Sequence, residues 1–245
     1  MAYVYHMATR LYIAESISPG AFVSLDEARA HYVRHVMRLG NGDRVAVFNA
    51  ESGEWEAAVH MSGKRSVQLL VGKQLAAPHP CPDVWLAFAA IKNKSELVVE
   101  KATELGVREI HPIVTQHSVV KNINIEKLRA HAIEAAEQCE RHDVPTIVPH
   151  KNLGSFLDTF PKDRTLLYGD ESGNGKPLPE ALDGIGGKKT AMLIGPEGGF
   201  SEEEKSRLRA LPFVRPLSLG PRILRAETAA LAAVVLWQSA VGDWA

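Results

Sequence analysis

The 245-residue sequence has no excess of charge of one sign, almost no cysteine and no long apolar run. Its 28 Lys and Arg residues nearly balance 29 Asp and Glu residues, and 45% of its residues are apolar. This composition excludes a polybasic nucleic-acid coat, an acidic tail and a disordered linker, because the charges cancel and the apolar residues can form a core. RNA binding is still allowed, but it requires local basic patches.

The other absences concern metals, disulfides and membranes. Cys81 and Cys139 have no CxxC or histidine spacing around them, so no metal site and no disulfide framework is expected, and a reducing compartment is favoured. The longest apolar run, residues 229–237, is far shorter than the roughly 20 residues of a membrane-spanning helix. The first residues lack a signal-peptide pattern, so a cytoplasmic protein is predicted. Met7 is a second possible start, and residues 1–6 are predicted to be an extension without function.

The first part of the chain is typical of short strands. Apolar alternation in residues 10–15, 44–50, 54–61 and 66–72, separated by glycine-containing turns, predicts a small antiparallel β-barrel. One helix is predicted over residues 25–38, with Asp26 as its cap and with Arg34 and Arg38 towards its C-terminal end. Its basic residues indicate either an RNA-docking face or an ordinary solvated helix face.

A domain boundary is predicted where prolines cluster. Residues 75–83, LAAPHPCPD, hold three prolines and suit neither a helix nor an interior strand, so the domains are placed at 1–75 and 76–245. Beyond the boundary, apolar runs alternate with helical segments, which predicts a parallel α/β sheet. The predicted helices span about residues 94–105, 125–141, 153–160, 201–211 and 226–241.

Local signals mark the ends of these helices. Asn93 with Glu96, and Ser201 with Glu204, have the spacing of capping boxes, and Gly106 is placed as the glycine that follows a helix.

The most informative stretch is residues 190–204, TAMLIGPEGGFSEEE, which predicts a buried strand, a glycine turn and a capped helix. Gly195, Gly198 and Gly199 allow backbone N–H groups to approach a ligand, and ligands of open α/β sheets bind at the carboxyl ends of strands. The stretch has neither a GxGxxG nor a P-loop pattern, so neither a dinucleotide nor a triphosphate is predicted. Glu197 and the following acids favour a cationic or zwitterionic ligand. An ordinary tight turn is the alternative interpretation.

A second stretch, residues 216–233, again predicts a strand, a Gly-Pro turn and a helix, PLSLGPRILRAETAALAA. Ile223 and Leu224 place apolar side chains where an aromatic base can rest, and Arg225 precedes the last helix. That helix is apolar on most faces, which indicates burial against more than its own sheet. A subunit interface is one interpretation, and a buried C-terminal helix of a monomer is the other.

Together, IGPEGGFSEEE and LSLGPRILRAETA resemble the paired loops of the SPOUT superfamily of S-adenosylmethionine-dependent methyltransferases. Within it they are similar to the RsmE family, which methylates N3 of a uridine in 16S ribosomal RNA. Further matches are KATELGV at 101–107, SVVK at 118–121 and EAAEQCERHDVP at 134–145, while RLYI at 10–13 and HYVRHVMRLGNGD at 31–43 resemble that family's PUA-like RNA-binding barrel. The resemblance covers nearly the whole chain.

The resemblance implies a knotted parallel-sheet domain with a deep C-terminal trefoil knot, preceded by a PUA-like β-barrel, in a homodimer. It also implies S-adenosylmethionine as cofactor, held by the knot loops. One wall of that site would comprise Ile194, Gly195, Pro196, Glu197, Gly198 and Gly199, the other wall Leu217, Leu219, Gly220, Ile223, Leu224 and Arg225, and Leu167 would end a third loop. Base methylation is favoured, because Pro196 and RILRAET replace the Asn and the Ser-Leu-Asn-Val-Ser stretch of the superfamily's ribose 2′-O methyltransferases.

The implied partner is 16S ribosomal RNA, either naked or in the assembled 30S subunit. The residues expected to dock it are Arg10, His31, Arg34 and Arg38 in the barrel and Lys92, Gln138 and Arg141 in the second domain. His31 and the nearby His35 could equally be ordinary surface histidines. The chain departs from the family pattern at Gln116-His117, where the family usually has Glu-Arg, which leaves the role of His117 open.

Methylation of N3 requires alignment with the methyl donor and stabilisation of a uracil anion. Arg225 is the candidate for the second role, because its charge does not vary with pH; a phosphate clamp or an ion pair with Glu227 is the alternative. Glu197 is the candidate general base, although its carboxylate could instead serve the sulfonium or the loop geometry. The rival functions are ribose 2′-O methylation of RNA and a non-enzymatic role as an RNA-binding assembly protein.

Overall fold

The computed structural model describes residues 9–63, 66–184 and 189–245, so the predicted extension before Met7 lies outside the described residues. The chain divides into two compact units. The first comprises the described residues up to Pro80 together with Ala136–Val144, and the second comprises Cys81–Ala135 and the described residues from Pro145 onward. The boundary predicted at residue 75 falls inside a strand that continues to Ala76, and the first unit also takes up a segment from far along the chain.

The first unit is a five-stranded sheet in the order β1-β3-β4-β5-β2. Its strands are β1 (Arg10–Tyr12), β2 (Phe22–Ser24), β3 (Arg44–Asn49), β4 (Gly53–Ser62) and β5 (Ser66–Ala76). The prediction of a purely antiparallel sheet is wrong, since β1 pairs with β3 in parallel. The long connection between these two strands makes this possible, because parallel neighbours cannot be joined by a tight hairpin. Alternate residues such as Val45, Val47 and Leu69 face a common apolar core.

The helix of the first unit is shorter than predicted. Helix α1 spans Glu27–His31, and the predicted cap is confirmed, because Asp26 Oδ1 accepts a hydrogen bond from Arg29 N at 2.8 Å. A π-helical turn, Tyr32–Val36, continues it. Arg38 then adopts a left-handed φ of 57°, which ends the helical backbone.

A buried ionic cluster ties the segment Ala136–Val144 into the first unit. Arg10 Nη2 lies 3.1 Å from Glu54 Oε2, and Arg10 Nη1 donates to the carbonyl oxygen of Ala136 at 2.8 Å. His142 Nε2 lies 3.3 Å from the same Glu54 oxygen. Burial alone would raise the pKa of Glu54, but the hydrogen bonds from His142 and Arg10 outweigh burial and hold that pKa below its ordinary value.

The second unit contains a parallel sheet in the order β12-β10-β11-β6-β7-β8, with β9 also paired to β7, and this confirms the predicted α/β class. The strands β6, β10 and β11 in the middle of the sheet are mostly buried, as is typical of a parallel sheet. The strands are β6 (Val84–Ala89), β7 (Glu109–Val114), β8 (Thr146–Ile147), β9 (Lys151–Asn152), β10 (Thr165–Gly169), β11 (Thr190–Ile194) and β12 (Val214–Leu217).

The remaining helices are α2 (Ser95–Glu104), α3 (Ile125–Gln138), α4 (Leu153–Asp158), α5 (Leu178–Ala181), α6 (Glu202–Ala210) and α7 (Ala226–Val241). Helix α5 is missing from the sequence-based prediction, because a four-residue helix has too little periodicity to detect. In the described part of the chain, no helix has both the length and the apolar composition needed to cross a bilayer.

Of the three helix-end signals predicted for the second unit, two are confirmed and one is wrong. The capping box of Ser201 and Glu204 is confirmed at the start of α6, and Gly106 follows α2 with a left-handed φ of 77°. The box predicted from Asn93 and Glu96 is wrong. Asn93 itself has a φ of 59°, and α2 starts two residues later, where Ser95 Oγ hydrogen-bonds to the backbone of Ile91.

Candidate functional site

A cavity of about 390 Å³ lies at the carboxyl ends of β10, β11 and β12, within the second unit. Because parallel strands end at one edge of the sheet, three loops that are distant in sequence meet here. All of the predicted cofactor residues except Leu167 and Gly198 line the cavity: Ile194, Gly195, Pro196, Glu197, Gly199, Leu217, Leu219, Gly220, Ile223, Leu224 and Arg225.

The loop after β11 forms one wall of the cavity, and three of its residues are glycines without side chains. A Cβ at Gly195 would lie 3.0 Å from the Phe200 ring, and Gly199 has a left-handed φ of 67°. A Cβ at Gly199 would also collide with the Glu171 carboxylate. The turn is closed by a hydrogen bond from Gly199 N to the carbonyl oxygen of Pro196 at 2.9 Å. Glycine is therefore required at positions 195 and 199 by close packing inside the loop, where no side chain could be accommodated.

The loop between β12 and α7 supplies the opposite wall. Leu217 is buried at the end of β12, and Gly220 turns the chain with a φ of 100°. Ile223 is 92% exposed, so its side chain is available to contact a ligand. Arg225 is exposed at the N-cap position of α7, where its own side chain makes no capping hydrogen bond.

Two predicted cofactor residues do not reach the cavity. Leu167, predicted at the end of a third loop, is instead fully buried within β10, and the cavity wall on this side is formed by Gly169, Asp170 and Glu171 at the end of that strand and just after it. Two acids directly after a buried strand, in YGDES, were the available signal for that wall. Gly198 instead faces His117, since a Cβ at Gly198 would lie 3.3 Å from the His117 Cβ.

His117, whose role the sequence left open, supports the glycine loop. Its Nδ1 lies 3.0 Å from the carbonyl oxygen of Gly198 and 3.2 Å from that of Gly199. A carbonyl oxygen only accepts, so Nδ1 carries the proton in these contacts. Next to it, Gln116 N donates to Glu204 Oε1 at 2.9 Å. Gln116 and His117, where the sequence departs from the family pattern, therefore support the glycine loop and the start of α6 without lining the cavity.

The charges around the cavity have mixed sign. Glu197 and Arg222 line it and are exposed, as is Arg225. Glu227 forms its ion pair with Lys94, whose hydrogen bond lowers the pKa of Glu227. Among the described residues Arg225 forms no salt bridge. Its charge contributes less than Lys94 to the lowered pKa of Glu227, so Glu227 pairs with Lys94 and not with Arg225. Over the same ranges, no three His, Cys, Asp or Glu side chains are arranged to hold a metal ion.

The predicted RNA-docking residues fall into exposed and buried groups. His31, Arg38 and Gln138 are exposed in the first unit, as is Lys92 in the second. Arg34 is half-buried and donates from Nη2 to the carbonyl oxygens of Gly63 and Ser66, each at 2.9 Å.

Arg10 and Arg141 form the buried group, so the prediction that they contact RNA phosphates is wrong. Arg10 is 7% and Arg141 is 9% exposed, and both belong to the first unit. The guanidinium of Arg10 is paired with Glu54, and that of Arg141 with Asp143 at 2.9 Å. A buried, paired guanidinium stabilises the fold instead of presenting its charge to RNA.

Comparison with known proteins identifies the family. A family model described as an RNA methyltransferase domain matches residues 77–238, and one described as an RNA methyltransferase PUA domain matches residues 25–72. The ribosomal RNA small subunit methyltransferase E of Rickettsia conorii is 32% identical over 228 residues, which cover 92% of this chain and 93% of the relative. This chain belongs to the ribosomal RNA small subunit methyltransferase E family.

Other similarities agree with membership in the methyltransferase E family. The Bacillus subtilis member is 30% identical to this chain over 234 residues and covers 90% of it and 91% of its own length. A Legionella pneumophila methyltransferase, solved with bound S-adenosylmethionine, is 30% identical with a TM-score of 0.86 over 96% of this chain and 98% of that one. The predicted family and enzyme class are therefore confirmed.

The cavity of this methyltransferase E family member fits S-adenosylmethionine. Its volume of about 390 Å³ lies within the usual range of small-molecule sites. Leu219, Ile223 and Leu224 offer an apolar surface for a flat ring, and the glycine loop offers backbone groups. Carboxylates such as Glu197 suit the positive sulfonium and ammonium groups, while Arg222 suits the ligand's carboxylate.

Proposed function

We propose that the protein transfers the methyl group of S-adenosylmethionine to N3 of a uridine in the 16S ribosomal RNA of the small subunit. Family membership supports ribosomal RNA methylation. The observation that favours a uracil base as acceptor is Arg225, an exposed guanidinium at the cavity wall with no ion pair among the described residues. Ile223 and Leu224, directly before it, provide an apolar surface for the base.

In this reaction S-adenosylmethionine supplies an electrophilic methyl group, so a C–N bond forms at N3 while the C–S bond breaks. The N3 proton must leave, and the resulting negative charge spreads over O2 and O4 of the ring. Arg225 is the candidate to stabilise that charge, because it lies at the N-cap of α7 on the cavity wall and carries a delocalised positive charge. Glu197, an exposed carboxylate of the glycine loop, is the candidate to accept the proton.

Docking of the RNA is proposed to use those members of the predicted set that are exposed or half-buried. His31, Arg34, Arg38 and Gln138 would act from the first unit and Lys92 from the second. Each phosphate contact makes the affinity sensitive to salt. The assembled 30S subunit is the proposed form of the substrate, and the reaction would take place in the cytoplasm, where that substrate is found.

A C-terminal trefoil knot and a homodimer complete the proposal. Two hydrogen bonds support a tight crossing near β12: Ser218 N donates to the carbonyl oxygen of Lys176 at 2.9 Å, and Lys176 N donates to that of Pro216 at 3.2 Å. Helix α7 carries Val235, Leu236 and Val241 with 37–42% of their surface exposed, which supports a second subunit on that face. The dimer would then complete each active site across its interface.

The test is to incubate the protein with labelled S-adenosylmethionine and small subunits from cells that lack this enzyme. We expect label in 16S ribosomal RNA at one uridine, where N3 methylation blocks the pairing edge and stops reverse transcriptase. Resistance to alkaline cleavage at that nucleotide would indicate ribose 2′-O methylation instead. No transfer of label would support a non-enzymatic assembly protein.

A further inference from the structure

A second cavity, of about 380 Å³, lies in the second unit between the loops that follow β6 and β7. Its floor is apolar, since Ala90, Ile91 and Leu128 are each 2–3% exposed. Its rim is polar and exposed, and it includes Lys92 and Asn122. Neither the methyl donor nor the reacting base needs this cavity, because the donor site is built from other loops.

The lining has the chemistry of a nucleotide site. Side-chain amides carry both donors and acceptors, which match the edge of a nucleobase, and an apolar floor can pack against its face. Asn93 and Asn122 present such amides at the rim. Asn124 also lines the cavity, and its Oδ1 accepts a hydrogen bond from Lys127 N at 3.0 Å, which fixes the orientation of this amide.

The charge balance at the rim favours an anion. Lys127 Nζ lies 2.6 Å from Glu96 Oε1, and Lys94 is paired with Glu227, so these two lysines and both carboxylates are neutralised. Lys92 lines the cavity, is exposed and makes no ion pair with any described residue. The rim therefore keeps uncompensated positive charge, which suits the phosphate of a nucleotide.

Two contacts place this cavity beside the donor cavity. Lys94, which lies between the lining residues Asn93 and Ser95, forms an ion pair with Glu227 in the first turn of α7, two residues after Arg225. The loop that contributes Val120 and Asn122 also contributes His117, which contacts the carbonyl oxygens of the glycine loop. A polynucleotide strand with one base at the donor cavity therefore has a second pocket close by.

We propose that this second cavity binds a nucleotide flanking the target uridine, with Asn122 contacting its base and Lys92 its phosphate. The inference rests on the proposed function, because it takes ribosomal RNA as the substrate. Binding a flanking nucleotide here would fix the direction of the strand and present only one uridine to the methyl donor.

The experiment measures binding of the full-length protein to unmethylated small subunits, without methyl donor, over a series of salt concentrations. We expect Lys92→Ala to raise the Kd about three- to ten-fold and to reduce the slope of log Kd against log salt by about one. Asn122→Ala is expected to raise the Kd about three- to ten-fold with an unchanged slope, since it removes neutral hydrogen bonds. Both variants should keep the wild-type Kd for S-adenosylmethionine.

Lys162→Ala is the matched control, because Lys162 is an exposed lysine just before β10. It lies at the amino ends of the parallel strands, whereas the second cavity lies at their carboxyl ends. If Lys92→Ala and Asn122→Ala bind subunits as Lys162→Ala does, the cavity proposal is overturned. An effect of Lys92→Ala alone would also overturn it, because a phosphate contact without a base contact is not a nucleotide pocket. Thermal unfolding, together with Lys92→Gln and Asn122→Ser as milder variants, separates loss of binding from misfolding.

Methyl transfer by the wild-type protein is measured on the same subunits. Transfer at a uridine with unchanged Kd in both variants contradicts only the second cavity. Weakened binding in both variants without any transfer by the wild type contradicts only the proposed function.

Discussion

At the scale of single residues, the partner of each charged side chain decides what that side chain can do. Arg10 lies near Glu54 in the fold, and Arg225 lies two positions before Glu227 in the sequence. Arg10 is buried and paired with Glu54, whereas Arg225 is exposed and Glu227 is paired with Lys94 instead. The first guanidinium is therefore structural, and the second is available for chemistry.

Substitution of Arg225 tests its proposed role. Arg225→Ala should lower kcat by about 10²–10³-fold, because the uracil anion loses the positive charge that stabilises it. Arg225→Lys keeps the charge without the planar fork and should fall between alanine and wild type. Single-turnover methylation of small subunits gives the rate. Full turnover by Arg225→Ala together with weaker subunit binding would show a phosphate clamp instead.

At the scale of elements, the conformation of the glycine loop depends on its packing against the loop that follows β10. Gly199 combines a left-handed φ of 67° with close packing against the Glu171 carboxylate. Glu171 in turn lies 3.7 Å from Lys205 Nζ on α6, so the loops after β10 and β11 support each other. The shape of the donor cavity therefore depends on both loops.

Gly199→Ala tests this coupling, with Gly184→Ala as its matched control. Gly184 has a similar φ of 74°, but a Cβ there would meet nothing within 4 Å. Both variants should lose about 1–2 kcal/mol of unfolding free energy from the left-handed backbone. Only Gly199→Ala must also displace Glu171, so only it should weaken S-adenosylmethionine binding, by about ten-fold or more. Denaturant unfolding and calorimetric titration measure the two effects. Equal donor affinity in both variants would contradict the coupling.

At the scale of the whole molecule, the chain forms two compact units, and its net charge is −1. The division does not follow the sequence simply, since Ala136–Val144 belongs to the first unit. The exposed apolar residues of α7 belong to the second unit and support the proposed homodimer.

Leu236→Glu tests the homodimer. Leu236 is 42% exposed on α7, and a carboxylate there would be buried unpaired in the proposed interface. Light scattering should give a mass of two chains for the wild type and one chain for the variant, with methyl transfer lost as well. Leu70→Glu makes the same change at a residue 38% exposed in the first unit and should remain dimeric. A wild-type mass of one chain would contradict the homodimer.

The sequence by itself determined the family, most of the strands and helices in the second unit, and most of the residues of the donor cavity. These follow from local patterns. A left-handed glycine such as Gly199, a capping box such as Ser201 with Glu204, and an apolar strand before a turn each depend on residues a few positions apart.

Only the tertiary structure decided which side chains are available. Arg10 meets Glu54 and the carbonyl oxygen of Ala136, and Glu227 meets Lys94, across 44 to 133 positions of sequence. The second cavity likewise forms only where the loops that follow β6 and β7 meet. Burial, ion pairing and cavities are properties of contacts between distant residues, and no local pattern records them.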